Sequence, residues 1–199
     1  MVKLKHVIPT KEYEKQAIEY VREFFSYGSR INGMGGLDIY LDDYDAWLLK
    51  LKNDSLGLNI KKIPIKTFFL VREEDNYIVG MINIRVSDDV DVLNYAGHIG
   101  YSIRPTERNN GYNKINLYLG LKYLDKHNIK EALISCIDSN LASAKTIIAL
   151  GGIKYEEIYK DEYGGNIQKY KIDIKESLNK YKKVFDNYLA DWYWYNFFW

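Results

Sequence analysis

The spacing of hydrophobic positions changes several times along the chain, and each change marks a predicted element. Near the start, "KLKHVIP" alternates and predicts a short strand. Thr10 suits an N-cap, and Tyr13, Ala17, Tyr20, Val21 and Phe24 follow at helical spacing. "RINGMGGLD" is a glycine-rich loop that reads equally as backbone bordering a ligand site and as a plain connector between helices. "DDYDAWLLKLKND", from Asp42 to Asn53 and just beyond, predicts a second helix whose acidic first turn complements the helix dipole.

The pattern then turns β-rich. "IKTFFLVREEDNYIVGMINIRVSD" holds two such runs joined by "REEDN", a hairpin, and "LNYAGHIGYSIRP" predicts a further strand that stops at Pro105. A helix from about Gly111 to Lys126 comes next. "KEALISCID" is a continuous apolar run, the pattern of a strand covered on both faces. "SNLASAKTIIALGG" predicts a helix stopped by two glycines, and "IKYEEIYKDEYGGNIQKYKIDI" a closing hairpin that turns at Gly164 and Gly165. This order predicts an α/β fold. Its mixed sheet is mostly antiparallel, has one parallel βαβ crossover and is flanked by helices.

Composition narrows the possible roles. A chain of 199 residues holds one domain with a full core. The net charge is +1 and no Lys/Arg stripe stands out, which disfavours nucleic acid as the main partner. Cys136 is the only cysteine, so no intrachain disulfide forms and a reducing, cytoplasmic compartment is expected. No apolar stretch approaches the length of about 20 residues that spans a bilayer, so stable membrane insertion is not expected.

One stretch concentrates chemistry. In "SIRPTERNNGYN" a strand stops at Pro105, a polar turn passes through Arg108, Asn109, Asn110 and Gly111, and a helix begins. A helix N-terminus presents unpaired N–H groups and partial positive charge, a natural seat for phosphate. Arg108 adds donors, and Gly111 lets the backbone approach an anion or turn left-handed. On these residues alone, an anion site and an ordinary strand-to-helix turn are about equally supported.

"IRPTERNNGYN" resembles the acyl-CoA signature of the GNAT N-acetyltransferase superfamily, Arg/Gln-x-x-Gly-x-Gly/Ala at the start of a helix. "FFLVREEDNYIVGMINIRV", "GHIGYSIRP" and "NLASAKTIIALGG" resemble, in order and spacing, successive segments of a bacterial subgroup of predicted acetyltransferases. The likeness covers roughly residues 65 to 173. It implies a sheet splayed between its fourth and fifth strands, with acetyl-CoA as co-substrate in the gap and no metal. The diphosphate would lie on residues 108 to 113 (Arg108, Asn109, Asn110, Gly111, Tyr112 and Asn113). The pantetheine arm would run along Ile99, Tyr101 and Ile103, with Asn140 and Ser143 facing that arm or the acceptor.

The activity so implied is direct transfer of an acyl group, most simply acetyl, to a primary amine of a small molecule or peptide. His98 is the candidate base and Asn140 a second catalytic candidate, with a main-chain N–H near Ile99 or Gly100 as the oxyanion donor. An alternative is a catalytically weak CoA-binding regulatory or interaction module. Two departures from the family pattern favour it: Asn113 stands at the small position that ends the signature, and Ile147 stands where many members place a general-acid tyrosine. Cys136 in its apolar run reads as an inert buried thiol, and His6 and His127 as surface or structural residues.

The resemblance also implies a domain of residues 1–174, leaving 175–199 as an aromatic helical extension. Seven of the last eight residues are aromatic, too much ring surface to leave in water. Its expected place is the protein's own surface, a homodimer contact, a lid over the acceptor site or a membrane interface.

Overall fold

The computed structural model describes residues 2–89, 93 and 97–190. Strands β1 (Leu4–Val7), β2 (Ile65–Arg72), β3 (Tyr77–Arg85) and β4 (Ile99–Ile103) pair in that order in one antiparallel sheet. Strands β5 (Glu131–Ile137), β6 (Ile153–Lys160) and β7 (Gly165–Asp173) form a second, in which β7 lies between the other two. The helices are α1 (Glu14–Ser26), α2 (Tyr44–Ser55), α3 (Tyr112–Lys126), α4 (Leu141–Ala149) and α5 (Ile174–Phe185). None of the described helices is long and apolar enough to cross a membrane.

The run "TFFLV" is apolar at successive positions because both faces of β2 and β3 are covered. Phe69, Val71, Ile78 and Met81 pack on Tyr20 and Phe24 of α1 and Trp47 of α2. Phe68, Leu70, Val79, Ile82 and Ile84 face the other way, onto α3. All the apolar positions expected on α1 are buried, but the helix itself begins at Glu14. Thr10 instead precedes a short 3-10 turn, Lys11–Tyr13, and makes no side-chain capping bond. Asp43 caps α2, accepting from the Ala46 N–H at 2.9 Å.

Buried polar groups tie these layers together. His6 Nε2 donates to Asn116 Oδ1 at 2.8 Å, and Asn116 Nδ2 donates to the Met81 carbonyl at 3.2 Å, which links β1, α3 and β3. Burial lowers the His6 pKa to about 4, so the ring is neutral in this network and stacks on Phe68. Arg104 is buried between α1 and the end of β4. It donates to Glu23 Oε2 at 3.1 Å and to the Ile78 and Gln16 carbonyls, and it lies over the Tyr20 and Tyr77 rings. Glu23 in turn accepts from the N–H and hydroxyl of Thr106, so α1 fixes the turn that follows β4.

The second sheet is thinner. Only alternate residues of β5 are buried, Ala132, Ile134 and Cys136, where the unbroken apolar run led us to expect cover on both faces. The core of this half, with Ile147 of α4 and Leu150 just after it, lies on one face alone. The closing hairpin turns at Gly164, which is left-handed at φ 61°, and Gly165.

α3 carries the chain from β4 to β5, the crossover expected from sequence, but these strands share no ladder. They meet through the His98 N–H and the Leu133 carbonyl, 2.7 Å apart, and belong to separate sheets. At the chain's far end, Phe185 packs on Tyr118, with ring centroids 5.1 Å apart. The Ala190 N–H donates to the Leu4 carbonyl at 3.2 Å, and Leu189 and Ala190 are buried. Residues 175–190 thus pack on the main core, with the inward face of α5 covering α3. The aromatic run 191–199 lies outside the described residues.

Candidate active site

Even-numbered residues of β4 bond to β3, as the Arg104 N–H does to the Val79 carbonyl. Alternation therefore turns the main-chain groups of Ile99, Tyr101 and Ile103 towards the split between the sheets. Directly after this open edge comes the polar turn. Asn109 and Gly111 are left-handed, at φ 67° and 77°. The main-chain N–H groups of residues 109 to 113 have no acceptor among the described residues. A Cβ placed on Gly111 would meet nothing within 4 Å, so the concave side of the turn is open. A run of unpaired donors at the start of α3, beside an unpaired strand edge, fits a diphosphate joined to an extended amide arm.

Arg108 lines the same cavity with its guanidinium anchored. It donates to Ser29 Oγ at 3.1 Å and lies over the Phe24 ring. Asn113 turns towards α4, with Nδ2 3.4 Å from Thr146 Oγ1, and its Oδ1 is buried without a partner. Lys114 and Lys145 also line this cavity, of about 790 Å³.

A second cavity, of about 740 Å³, opens on the other side of the split. Both volumes lie within the roughly 300–1,000 Å³ usual for small-ligand sites. Tyr101, Asn140 and Ser143 line both cavities and mark where they meet. The Tyr101 hydroxyl and Ser143 Oγ are 2.9 Å apart, and burial pushes the phenol pKa up, so it stays protonated. Asn140 caps α4, its Oδ1 accepting from the Ser143 N–H at 3.1 Å, which fixes Ser143 opposite Tyr101. Cys136 lines the second cavity, and burial raises its thiol pKa as expected of an inert thiol.

The glycine-rich loop crosses this junction, with Arg30, Asn32 and Gly33 among the lining residues. Gly33 has φ 71°, and a Cβ there would come within 2.5 Å of Tyr101 Cα and 2.6 Å of the Gly100 carbonyl oxygen. Only glycine lets the loop lie this close to β4. Helix α2 lines neither cavity and packs on β2. The far wall comes from the β6–β7 hairpin through Ile158, Lys160, Ile167 and Lys169, and from β3 through Arg85. Sequence reasoning passed over these residues because nothing in their local pattern sets them apart from the rest of their strands.

His98 departs most from expectation. Its Nδ1 accepts from the Leu133 N–H at 2.9 Å and its Nε2 donates to the Ser87 carbonyl at 3.0 Å. Both ring nitrogens are therefore engaged, the side chain is buried, and burial lowers its pKa. It lines neither cavity. His6 is buried and structural, and His127 caps the end of α3 through the Tyr123 carbonyl. Among the described residues, no group of three or more His, Cys, Asp or Glu is placed to hold a metal.

A family model described as the acetyltransferase (GNAT) family matches residues 36–151. The chain belongs to the GNAT acetyltransferase family. As a GNAT member it is an N-acetyltransferase with acetyl-CoA as co-substrate, and the turn and open edge described above have the donors to hold it. The match begins in the glycine-rich loop, earlier than the stretch from residue 65 on which the resemblance rested.

Among solved structures, RimJ of Mycobacterium smegmatis in complex with CoA-disulfide is similar at a TM-score of 0.69 and 11% identity, covering 91% of this chain and 92% of that one. The Microcin C7 self-immunity acetyltransferase MccE, in complex with acetyl-CoA and AMP, is similar at 0.61 and 15% identity, covering 85% and 91%. A spermidine N-acetyltransferase chimera of Vibrio cholerae SpeG and hSSAT is similar at 0.63 and 10% identity, covering 89% and 99%. At these identities the likeness is one of fold. No curated protein matches the sequence.

Proposed function

We propose that this GNAT protein moves acetyl from acetyl-CoA to a primary amine of a small molecule or peptide, by direct transfer with both substrates bound at once. The supporting observation is that two cavities, one carrying the unpaired N–H groups of residues 109 to 113, meet at Tyr101, Asn140 and Ser143. Bound acetyl-CoA supplies an activated thioester. The N–H groups of Asn109, Asn110, Gly111, Tyr112 and Asn113 hold its diphosphate, with Arg108 alongside. The main chain of Ile99, Tyr101 and Ile103 takes its amide arm as an added strand.

Tyr101 fills the role that Ile147 vacates. Ile147 is wholly buried in the core of the second sheet and cannot reach either cavity. The Tyr101 phenol holds a proton at the junction, aimed by Ser143, for the leaving sulfur as the new C–N bond forms and the C–S bond breaks. The attacking amine sheds its proton to water in the acceptor cavity. His98 acts as a positioning residue, because with both ring nitrogens bonded it has no site to accept that proton.

Titration calorimetry with acetyl-CoA tests this reading. The wild-type protein should bind, and Gly111→Val should weaken binding by about tenfold or more, since a β-branched residue is strained at φ 77° and bends the cradle. Absence of binding by the wild-type protein would overturn the proposal. Binding without CoA release in the presence of any amine would instead leave the weak CoA-binding module as the better description.

A further inference from the structure

Three of the four Lys and Arg residues that line the second cavity have no ion-pair partner among the described residues. Arg85, the last residue of β3, lies partly buried against the second cavity, and the only hydrogen bond of its guanidinium among the described residues is a long one, 3.4 Å, from Nη1 to the Gly97 carbonyl. Lys160, at the end of β6, lines the same cavity, and Arg30, from the glycine-rich loop, lines both cavities where they meet; the side chain of neither has an ion-pair or hydrogen-bond partner among the described residues. Lys169 lines the second cavity too but is paired with Glu156 at 2.8 Å. Glu162 is the one carboxylate among the described lining residues. Behind Arg85, Asp54 contributes favourable charge, yet no ion pair joins them, and Asp54 is bonded to Lys50.

A guanidinium withdrawn from water is expensive to leave without an anion. The cost is visible in the Arg85 pKa, which burial lowers. Arg104 and Arg72, the other arginines drawn into the structure, both have carboxylate partners, Glu23 and Glu107. Arg85 differs from them in facing a cavity.

We propose that the acceptor amine carries an anionic group, a carboxylate or phosphate, which Arg85 receives and which Arg30 and Lys160 attract at the mouth of the cavity. The planar fork of an arginine suits either anion and repels a diamine or polyamine. This inference rests on the acetyl-transfer reading and specifies its substrate class.

The test compares four amines of similar length as acceptors, following CoA release: 4-aminobutyrate, 3-aminopropyl phosphate, butylamine and 1,4-diaminobutane. The expected result is kcat/KM about tenfold or more higher for the anionic amines than for butylamine, with the diamine lowest. The ratio of the two anionic amines tells carboxylate from phosphate. Arg85→Gln should collapse the anionic preference, chiefly through KM. Lys160→Gln, at an exposed position with little bearing on folding, should reduce it by a smaller factor. Preference for butylamine or the diamine would keep the transferase reading and overturn this one. So would an anionic preference that survives both substitutions. No CoA release with any of the four amines would overturn both.

Discussion

Strands β3 and β6 show how differently the two halves of this protein are built. β3 is buried along its whole interior, pressed between α1 and α2 on one face and α3 on the other. β6 is exposed at every position except Ile158, which is only partly covered. The first half holds the strand and turn proposed above to receive acetyl-CoA. The second supplies the hairpin that lines the proposed acceptor cavity. A rigid half can keep a cofactor site fixed while an exposed hairpin changes its side chains at little cost to folding. Tyr101 and Ser143 face each other across the seam between the two.

The largest expected effect lies deep in the first half. Phe69 is fully buried between the rings of Tyr13 and Trp47. Phe69→Ala should cost about 3–5 kcal/mol in urea denaturation. A loss under about 1 kcal/mol would mean that β2 is not packed on both faces as described.

Acid should act on the same half. The His6 pKa is about 4 in the folded protein, against 6.5 without burial. A folded pKa lower than the unfolded one means that protons favour the unfolded chain. Stability from this group is complete above pH 6.5 and declines as the pH falls from 6.5 towards 4, by about 3 kcal/mol in all. His98, also lowered by burial, adds a decline of the same sign. His6→Gln should flatten the stability–pH profile over that window, and an unaltered slope would remove His6 as its source.

At the seam, Tyr101→Phe keeps the ring and deletes the hydroxyl. The kcat should fall about a hundredfold while acetyl-CoA affinity stays nearly constant. A full-rate variant would remove Tyr101 from the chemistry. The smallest effect belongs to β6. Tyr159 is 61% exposed, so Tyr159→Ser should shift stability by less than about 0.5 kcal/mol. A loss of several times that size would break the contrast between the halves.

These regions also differ in how far they could be read from the sequence. The turn from Pro105 to Asn113 was legible because its physics is local: a strand stop, a left-handed glycine and a helix start lie within a few residues of one another. The apolar spacing of α1 was legible for the same reason. The role of His98 was not, since its partners, Ser87 and Leu133, lie 11 and 35 positions away and use both nitrogens. The Tyr101–Ser143 pair joins residues 42 apart, and the grouping of Arg85 with Lys160 depends on how the two sheets diverge. The packing of the last helix was not legible either, because that helix looks self-contained until Tyr118 of α3 is known to lie beneath Phe185.

The contact between Leu4 and Leu189 bears on how the chain is made. The Lys3 ammonium donates to the Leu189 carbonyl at 3.0 Å, a bond spanning 186 positions. During synthesis from the N-terminus, β1 leaves the ribosome first, and its outer edge meets its partner only after nearly every other element has been made. Loop closure of this length is slow, and an uncovered strand edge invites pairing with a neighbouring chain in the meantime. Nascent chains cut short before residue 186 should therefore be the aggregation-prone species, and chaperone demand should end as the segment from Asp186 to Ala190 emerges.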